Sequence, residues 1–383
     1  MDVKRLNFSG TPDAGGDSEL SEIARRLVGL RLAPATSITV SRRRPNGWHR
    51  TTAAAGWVGS GPATPNTPYD LASLTKPVVA ITAAKLASKR FLRLTDPIGK
   101  WLPELQHLPL AEASIEQTLS HRAGLLGHRV LFTRLLEGRA ILRQPMLFAA
   151  ARSLRADVRR VESKCTPCPV YSDLGYLVLG EVLERATGIA LDDLVSEVGL
   201  ESIGAPIASS RRWLARHRDF QRVVAPTEFV AWRGGTLRGV VHDENAWTWA
   251  GYGIAGHAGL FGTSLAVALF GEAVIDALAG RASPIPIFAA LVCTSQREGG
   301  SLRAGFDGVS QCRSSAGTQM SRLAFGHLGF TGTSLWCDPE NEFVFVMLTN
   351  RVNPTRHDSR FPNARGELHD QLFTWAAKNR QTL

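Results

Sequence analysis

Strand-like runs broken by turns sit near both ends of this 383-residue chain, and a mainly helical stretch separates them. Near the start, ATSITVSRRR and HRTTAAAGWVG read as two strands around the polar turn RPNG. Such runs, rich in β-branched residues and bounded by Pro, Asn and Gly, are the local signal for strands and a turn. Near the end, MSRLAFGHLGF, GTSLWCDP and EFVFVMLTNRV read as adjacent antiparallel strands, and ELHDQLFTWAAKN as a closing helix. Strands at both ends around a helical middle predict one sheet assembled from the two chain ends. The expected fold class is α+β: an antiparallel sheet flanked by helices, with an inserted mainly helical domain. The expected boundaries are a polar lead-in over 1–20, a sheet domain built from 21–89 and 236–383, and the insert over 90–235.

Helical signals fill in this plan. ELSEIARRLVGLRL has apolar residues at helical spacing. From Leu74 to about Lys89 the sequence is a helix former, and Pro77, tolerable only in a first turn, pins its start close to Ser73. RLTDPIGKWLPEL reads as a turn-rich linker, and SIEQTLSHRAGLLGH as a helix stopped by Gly124. LFTRLLEGRAILRQPMLFAAARSLRA is helical, and DLGYLVLGEVLERATG is an amphipathic helix stopped by Gly188. A further helix runs through LAVALFGEAVIDALAG.

Composition narrows the class of partner. With 44% hydrophobic and 20% charged residues the chain is an ordinary folded protein. The net charge of +10 comes largely from scattered arginines, with no zinc-finger spacing or basic repeat, so no specific nucleic-acid partner is expected. No segment approaches 18 uninterrupted apolar residues, so no membrane span is expected, and the N-terminus has no apolar stretch like a signal peptide, which makes the cytoplasm the expected location. The pair Cys165 and Cys168 in CTPC lacks a second ligand pair. Neither a metal nor another cofactor is expected; the oligomeric state is left open.

Three segments carry candidate chemistry. Ser73 and Lys76 in SLTK lie three apart at a helix start, on one face. They read either as a capping serine with a solvated lysine, or as a nucleophile with a base whose pKa is lowered by its surroundings. In PVYSDLGYLVLG, Asp173 is well placed as a helix N-cap; alternatively Tyr171 shuttles a proton beside Lys76 while Asp173 pairs with the lysine. In FGHLGFTGTSLWCDP, His327 and Gly329 belong either to a tight glycine hairpin or to a strand edge whose N–H groups hold an oxyanion. The polar, glycine-punctuated loops VHDENA and GHAGLFG bring His242, Asn245 and His257 as candidate cleft-lining residues, without a His-Glu-x-x-His zinc pattern.

Taken in order, Ser73-Leu74-Thr75-Lys76, Tyr171-Ser172-Asp173 and His327-Leu328-Gly329 resemble the three motifs of the serine beta-lactamase-like superfamily. The branch it resembles most holds class C beta-lactamases, DD-peptidases and their esterase relatives. LASLTKP, LSHRAGL, APTE, VHDENA, AGHAGLFGT and GHLGFTGTSLWCDPENEFVFVMLTNR extend the resemblance over residues 20 to 380. It implies a two-step acyl transfer in which Ser73 attacks a carbonyl, Lys76 and Tyr171 share proton transfer, and the N–H groups of Ser73 and Phe330 hold the oxyanion. Asp173 stands where the family usually has asparagine; it implies a lysine held protonated, with the burden shifted towards Tyr171. His327-Leu328-Gly329 replaces the usual Lys-Thr-Gly, which loses a cation for a substrate carboxylate. The resemblance therefore implies an esterase-like or peptidase-like hydrolase of small esters, amides or short peptides, with a beta-lactamase or DD-carboxypeptidase as the alternative. A catalytically silent binding protein on the same fold is a third possibility.

Overall fold

A computed structural model describes residues 18–159, 168–200, 203–310 and 314–379. Most of the expected polar lead-in and Cys165 lie outside the described residues.

The central sheet has six strands in the order Gly47–Gly56, Ala35–Arg44, Phe343–Thr349, Ser334–Asp338, Phe325–Leu328, Asp307–Gly308, all antiparallel. The N-terminal hairpin therefore pairs with a C-terminal strand, in a register that sets Ile38 opposite Met347. The alternation of side chains along Phe343–Thr349 explains why both faces need a cover. Val344, Val346 and Leu348 belong to the main core, shared with the Ser264–Leu278 helix and the Thr75–Ser88 helix. Phe343, Phe345 and Met347 face the other way, onto Leu20, Ala24 and Leu27 of the Ser18–Gly29 helix and Leu368, Leu372 and Trp375 of the Arg360–Lys378 helix. Two hydroxyls on the main-core side of Ala35–Arg44 are satisfied inside: Ser37 and Thr39 lie 3.0 and 2.8 Å from the Ser264 hydroxyl.

Between the sheet halves runs a helical subdomain, in which Asp173–Thr187 is the central helix and ends on Gly188 at φ 72°. A second small sheet, ordered Tyr69–Asp70, Leu260–Gly262, Ile207–Ser209, stitches the subdomain to the chain leading into Ser73. Two helices are shorter than their sequence suggests. Ile115–Leu119 ends well before Gly124, because His121 takes a left-handed conformation at φ 62°. The segment over 131–156 breaks into Thr133–Leu136 and Arg143–Ala151 around Gly138 at φ 68°. Among the described residues no helix is long and apolar enough to cross a membrane.

Candidate active site

Ser73 sits on a tight one-turn coil between the Tyr69–Asp70 strand and the Thr75–Ser88 helix. The chain turns there because Ala72 adopts φ 47° and its N–H is caught by Asp70 Oδ1 at 2.8 Å. The Thr75 hydroxyl then donates to the Ala72 carbonyl at 2.7 Å, closing the turn. Pro77 lies in the first turn of the following helix, where its missing N–H costs nothing. The turn and the first helical residues are buried, which leaves Lys76 wholly inside the protein.

Lys76 Nζ gathers the site. It lies 2.9 Å from Ser73 Oγ, 2.5 Å from Tyr171 Oη, 2.6 Å from Asp173 Oδ1 and 3.4 Å from the His257 carbonyl. Its ammonium has a donor for each of the three nearest oxygens; as a free amine it has a lone pair to accept from Ser73. Tyr171 and Asp173 are delivered by the start of the Asp173–Thr187 helix. Of the two readings of Asp173, the pairing with Lys76 is the one found: Ser172 caps the helix by accepting from Gly175 N, which leaves the Asp173 carboxylate for Lys76.

The electrostatics pull in opposite directions. Burial lowers the Lys76 pKa, and the Asp173 charge opposes this without overcoming it. Burial disfavours the Asp173 carboxylate, but Lys76, His128 and His257 together hold its pKa well below the usual range. Tyr171 is pushed far above an ordinary phenol by burial and by the Asp173 charge, against a hydrogen bond with Ser73. The Asp173 charge favours the protonated form of Lys76, as the sequence reading expects, and favours the neutral phenol of Tyr171 as well.

The third motif lies along the adjacent strand edge. His327 is buried with its Nδ1 2.8 Å from the Leu328 carbonyl and its ring 5.7 Å from that of Tyr171. Burial, then the Lys76 charge, push its pKa down to about 3, so it is neutral. Gly329 does not hold an open N–H: that group donates to the Thr333 carbonyl at 2.7 Å. The space of its absent side chain is filled by Thr333 Oγ1 and the Leu71 carbonyl, so the glycine serves a close approach within the protein. Two hydroxyls tie this edge to the nucleophile turn: Thr331 donates to the Asp70 carbonyl at 2.7 Å and Thr333 to that of Leu71 at 3.1 Å. Among the described residues, the N–H groups of Ser73 and Phe330 meet no protein acceptor.

This order of a buried Ser-x-x-Lys turn, a Tyr-Ser-Asp helix start and a His-Leu-Gly strand edge has a counterpart in known proteins. A family model described as Beta-lactamase matches residues 45–368. The chain belongs to the beta-lactamase family. Members of this superfamily of serine hydrolases typically act through an acyl-serine. Over 343 residues the chain is 29% identical to the "Putative D-alanyl-D-alanine carboxypeptidase" of Escherichia coli (strain K12), a match that covers 82% of this chain and 76% of that one. Among solved structures it resembles a class C beta lactamase from Rhodobacter sphaeroides, with a TM-score of 0.68 at 14% identity over 94% of this chain and 100% of that one. It also resembles EstCE1, described as a hydrolase with promiscuous acyltransferase activity, with a TM-score of 0.67 at 18% identity over 93% and 97% of the two chains. At these identities the structural likeness establishes the α+β beta-lactamase/transpeptidase-like fold.

Within that family fold, the three residues expected to line the cleft lie behind it instead. His242, Asn245 and His257 are all buried. Asn245 clamps the 129–131 loop, accepting from Leu131 N at 2.9 Å and donating to the Arg129 carbonyl at 2.8 Å. His242 lies 3.0 Å from Glu228 Oε2, and His257 2.9 Å from Asp243 Oδ1. These contacts pair most of the buried polar atoms of the two loops, though His257 Nδ1 has no partner among the described residues.

Two histidines of the beta-lactamase-type site escaped the sequence reading. His121, in the LSHRAGL segment, accepts the Ser172 N–H at 3.0 Å and packs between the rings of Tyr171 and Tyr176 at 4.9 and 5.2 Å. Burial lowers its pKa well below the ordinary value, so it supports Tyr171 as a neutral ring. The signal available was a histidine just past a helix end. His128 is half-exposed, with Nδ1 3.8 Å from Asp173 Oδ2, and that carboxylate raises its pKa. Nothing local marks it. Among the described residues no cluster of three or more His, Cys, Asp or Glu is arranged to hold a metal, and Cys168, Cys293 and Cys337 are free thiols.

Proposed function

We propose that this chain hydrolyses a small ester or amide through an acyl-enzyme on Ser73. The observation that carries the reading is the convergence of Ser73, Tyr171 and Asp173 on the one buried amine of Lys76, at 2.9, 2.5 and 2.6 Å. Ser73 Oγ attacks the carbonyl carbon as its proton passes to the Lys76 amine. The N–H groups of Ser73 and Phe330 receive the developing oxyanion. Tyr171 gives its phenolic proton to the departing alcohol or amine and regains one from the Lys76 ammonium. Water then takes the place of the leaving group, and the same pair carries its proton in the reverse order, freeing the acid and Ser73. Asp173 orients the lysine, and His128 offsets the Asp173 charge so that it does not hold Lys76 permanently protonated.

Intact-mass measurement after incubation with a fluorophosphonate or an activated ester tests this. One adduct is expected, mapping to Ser73 and missing from Ser73→Ala; equal labelling of that variant would overturn the reading. A second reading, DD-carboxypeptidase or beta-lactamase, is favoured by the name of the Escherichia coli relative. Against it, neutral His327 and Leu328 offer no cation or hydroxyl for a substrate carboxylate. The expected kcat/KM is higher for short acyl esters than for a chromogenic cephalosporin or a D-alanyl-D-alanine peptide, and the opposite order would replace the first reading by the second.

A further inference from the structure

Beside the proposed nucleophile runs a continuous aromatic wall. The Phe132 ring stacks on Trp232 at 5.5 Å and an interplanar angle of 8°, and Trp232 meets Trp247 edge to face at 6.0 Å. The Arg233 guanidinium covers Trp247 at 4.3 Å and donates to the His242 carbonyl at 3.0 Å. The His242 ring stacks in turn on Phe330 at 5.7 Å. Trp232 and Phe330 remain 41% and 49% exposed, and the Arg351 and Arg356 guanidiniums lie over the Phe330 ring at 4.7 and 5.8 Å.

Both ends of the wall are anchored in the site. At one end Phe132 follows the 128–131 loop, which Asn245 clamps and which carries His128 beside Asp173. At the other end is Phe330, whose N–H is a proposed oxyanion donor. The series of rings thus runs from the loop that carries His128, beside Asp173, to Phe330, the proposed oxyanion donor. Exposed single aromatics are ordinary on a protein surface, but a stacked and cation-backed series that ends twice in one site is not scattered exposure.

We infer that this wall is the substrate subsite, taking a planar apolar group, an aromatic ring above all, attached close to the scissile carbonyl. The inference deepens the hydrolase reading and rests on it for the place of the scissile bond. Flat rings suit it because offset-stacked or edge-to-face contact with Trp232 and Phe330 adds to the gain from removing apolar area from water. Arg233 supports Trp247 from behind, Arg356 is paired with Glu228 and Glu244, and Arg351 donates to backbone carbonyls, so the exposed rings select for shape and apolarity.

The test uses matched ester pairs that differ by one phenyl ring: p-nitrophenyl acetate against p-nitrophenyl phenylacetate on the acyl side, and ethyl against benzyl acetate on the alcohol side. The wild type is expected to prefer the ring-bearing member of one pair, which identifies the side that meets the wall. Trp232→Ala is expected to cut that preference in kcat/KM roughly tenfold, since discrimination by an apolar pocket runs from about 10- to 200-fold. Trp57→Ala, which removes an exposed tryptophan elsewhere, is expected to keep it. Calorimetric binding of phenylacetamide to Ser73→Ala, with and without Trp232→Ala, reads the wall without chemistry and is expected to weaken by a similar factor. If no Ser73 adduct forms with any ester but Trp232→Ala still weakens phenylacetamide, the hydrolase reading falls and the subsite stands. If hydrolysis proceeds and a folded Trp232→Ala changes neither the preference nor the binding, the subsite is overturned.

Discussion

The two sides of the Ser73 cleft are built on opposite principles. On the helix side, Lys76, Asp173, Asp243, His257 and His128 concentrate ionisable groups, and the first two are in direct contact at 2.6 Å. On the strand side, His327 is neutral, Leu328 is apolar, and Gly329 is consumed by internal packing. One side can move protons; the other offers fixed backbone dipoles. Proton movement needs groups whose surroundings shift them from their ordinary pKa values, whereas an oxyanion needs donors that do not reorganise. The contrast is why Asp173 is tolerated where an amide is usual, since its charge has partners on both oxygens. It is also why the absence of a strand lysine changes what is bound more than how protons move.

The largest expected effects lie on the helix side. Ser73→Ala is expected to abolish acylation in intact-mass measurements, and Lys76→Ala to lower kcat on the order of 10²–10⁴-fold, the span of a general base. Asp173 and His128 give a pair of opposite signs. Asp173 raises the Lys76 pKa against the larger lowering by burial. Asp173→Asn therefore lowers it further, and the acid limb of the kcat/KM profile, which reports the free amine, moves to lower pH. Asp173 raises the His128 pKa, so where His128 is protonated its charge offsets that of Asp173, and His128→Ala is expected to move the same limb to higher pH. Two shifts in one direction, or no shift in either, would remove the charge-balance account of the helix side.

This division was only half legible in the sequence. The strand runs at the two chain ends and the helix started by Pro77 are local patterns, and they predicted the sheet and the Ser73 position because hydrophobic alternation and proline act over a few residues. Gly188 ended its helix for the same reason, as a left-handed C-cap. The rest turned on tertiary partners. Asp173 read either as a cap or as the partner of Lys76, and only the tertiary contact decides for the lysine, with Ser172 taking the cap. His242, Asn245 and His257 read as candidate cleft-lining residues because their loops are polar and glycine-punctuated, yet all three are buried. Gly329 looked like an opening for substrate, and only the position of Thr333 reveals that it is filled. His128 acts across a gap in sequence that no motif spans.

Smaller effects are expected on the strand side, where position and not charge is at stake. Thr331→Val removes the hydroxyl bond to the Asp70 carbonyl and leaves that carbonyl short of a partner. A loss of about 1–2 kcal/mol in stability is expected in denaturant titration, with a several-fold fall in kcat and little change in KM, because the oxyanion donors drift relative to Ser73. A KM effect without a kcat effect would instead place Thr331 in substrate binding.

The mildest test concerns His327, and its sign follows from linkage. Its folded pKa, about 3, lies below the ordinary 6.5, so the unfolded chain binds the extra proton first as pH falls. Its neutral burial contributes stability that is fully present above about pH 6.5 and is lost progressively down to about pH 3. By pH 5 the loss from this residue is about 2 kcal/mol. His327→Gln keeps a polar side chain of similar reach but cannot take up a proton. Its Tm is therefore expected to fall less steeply than that of the wild type between pH 6.5 and pH 4. An unchanged slope would mean that His327 is not held neutral, and the strand side would then carry a charge after all.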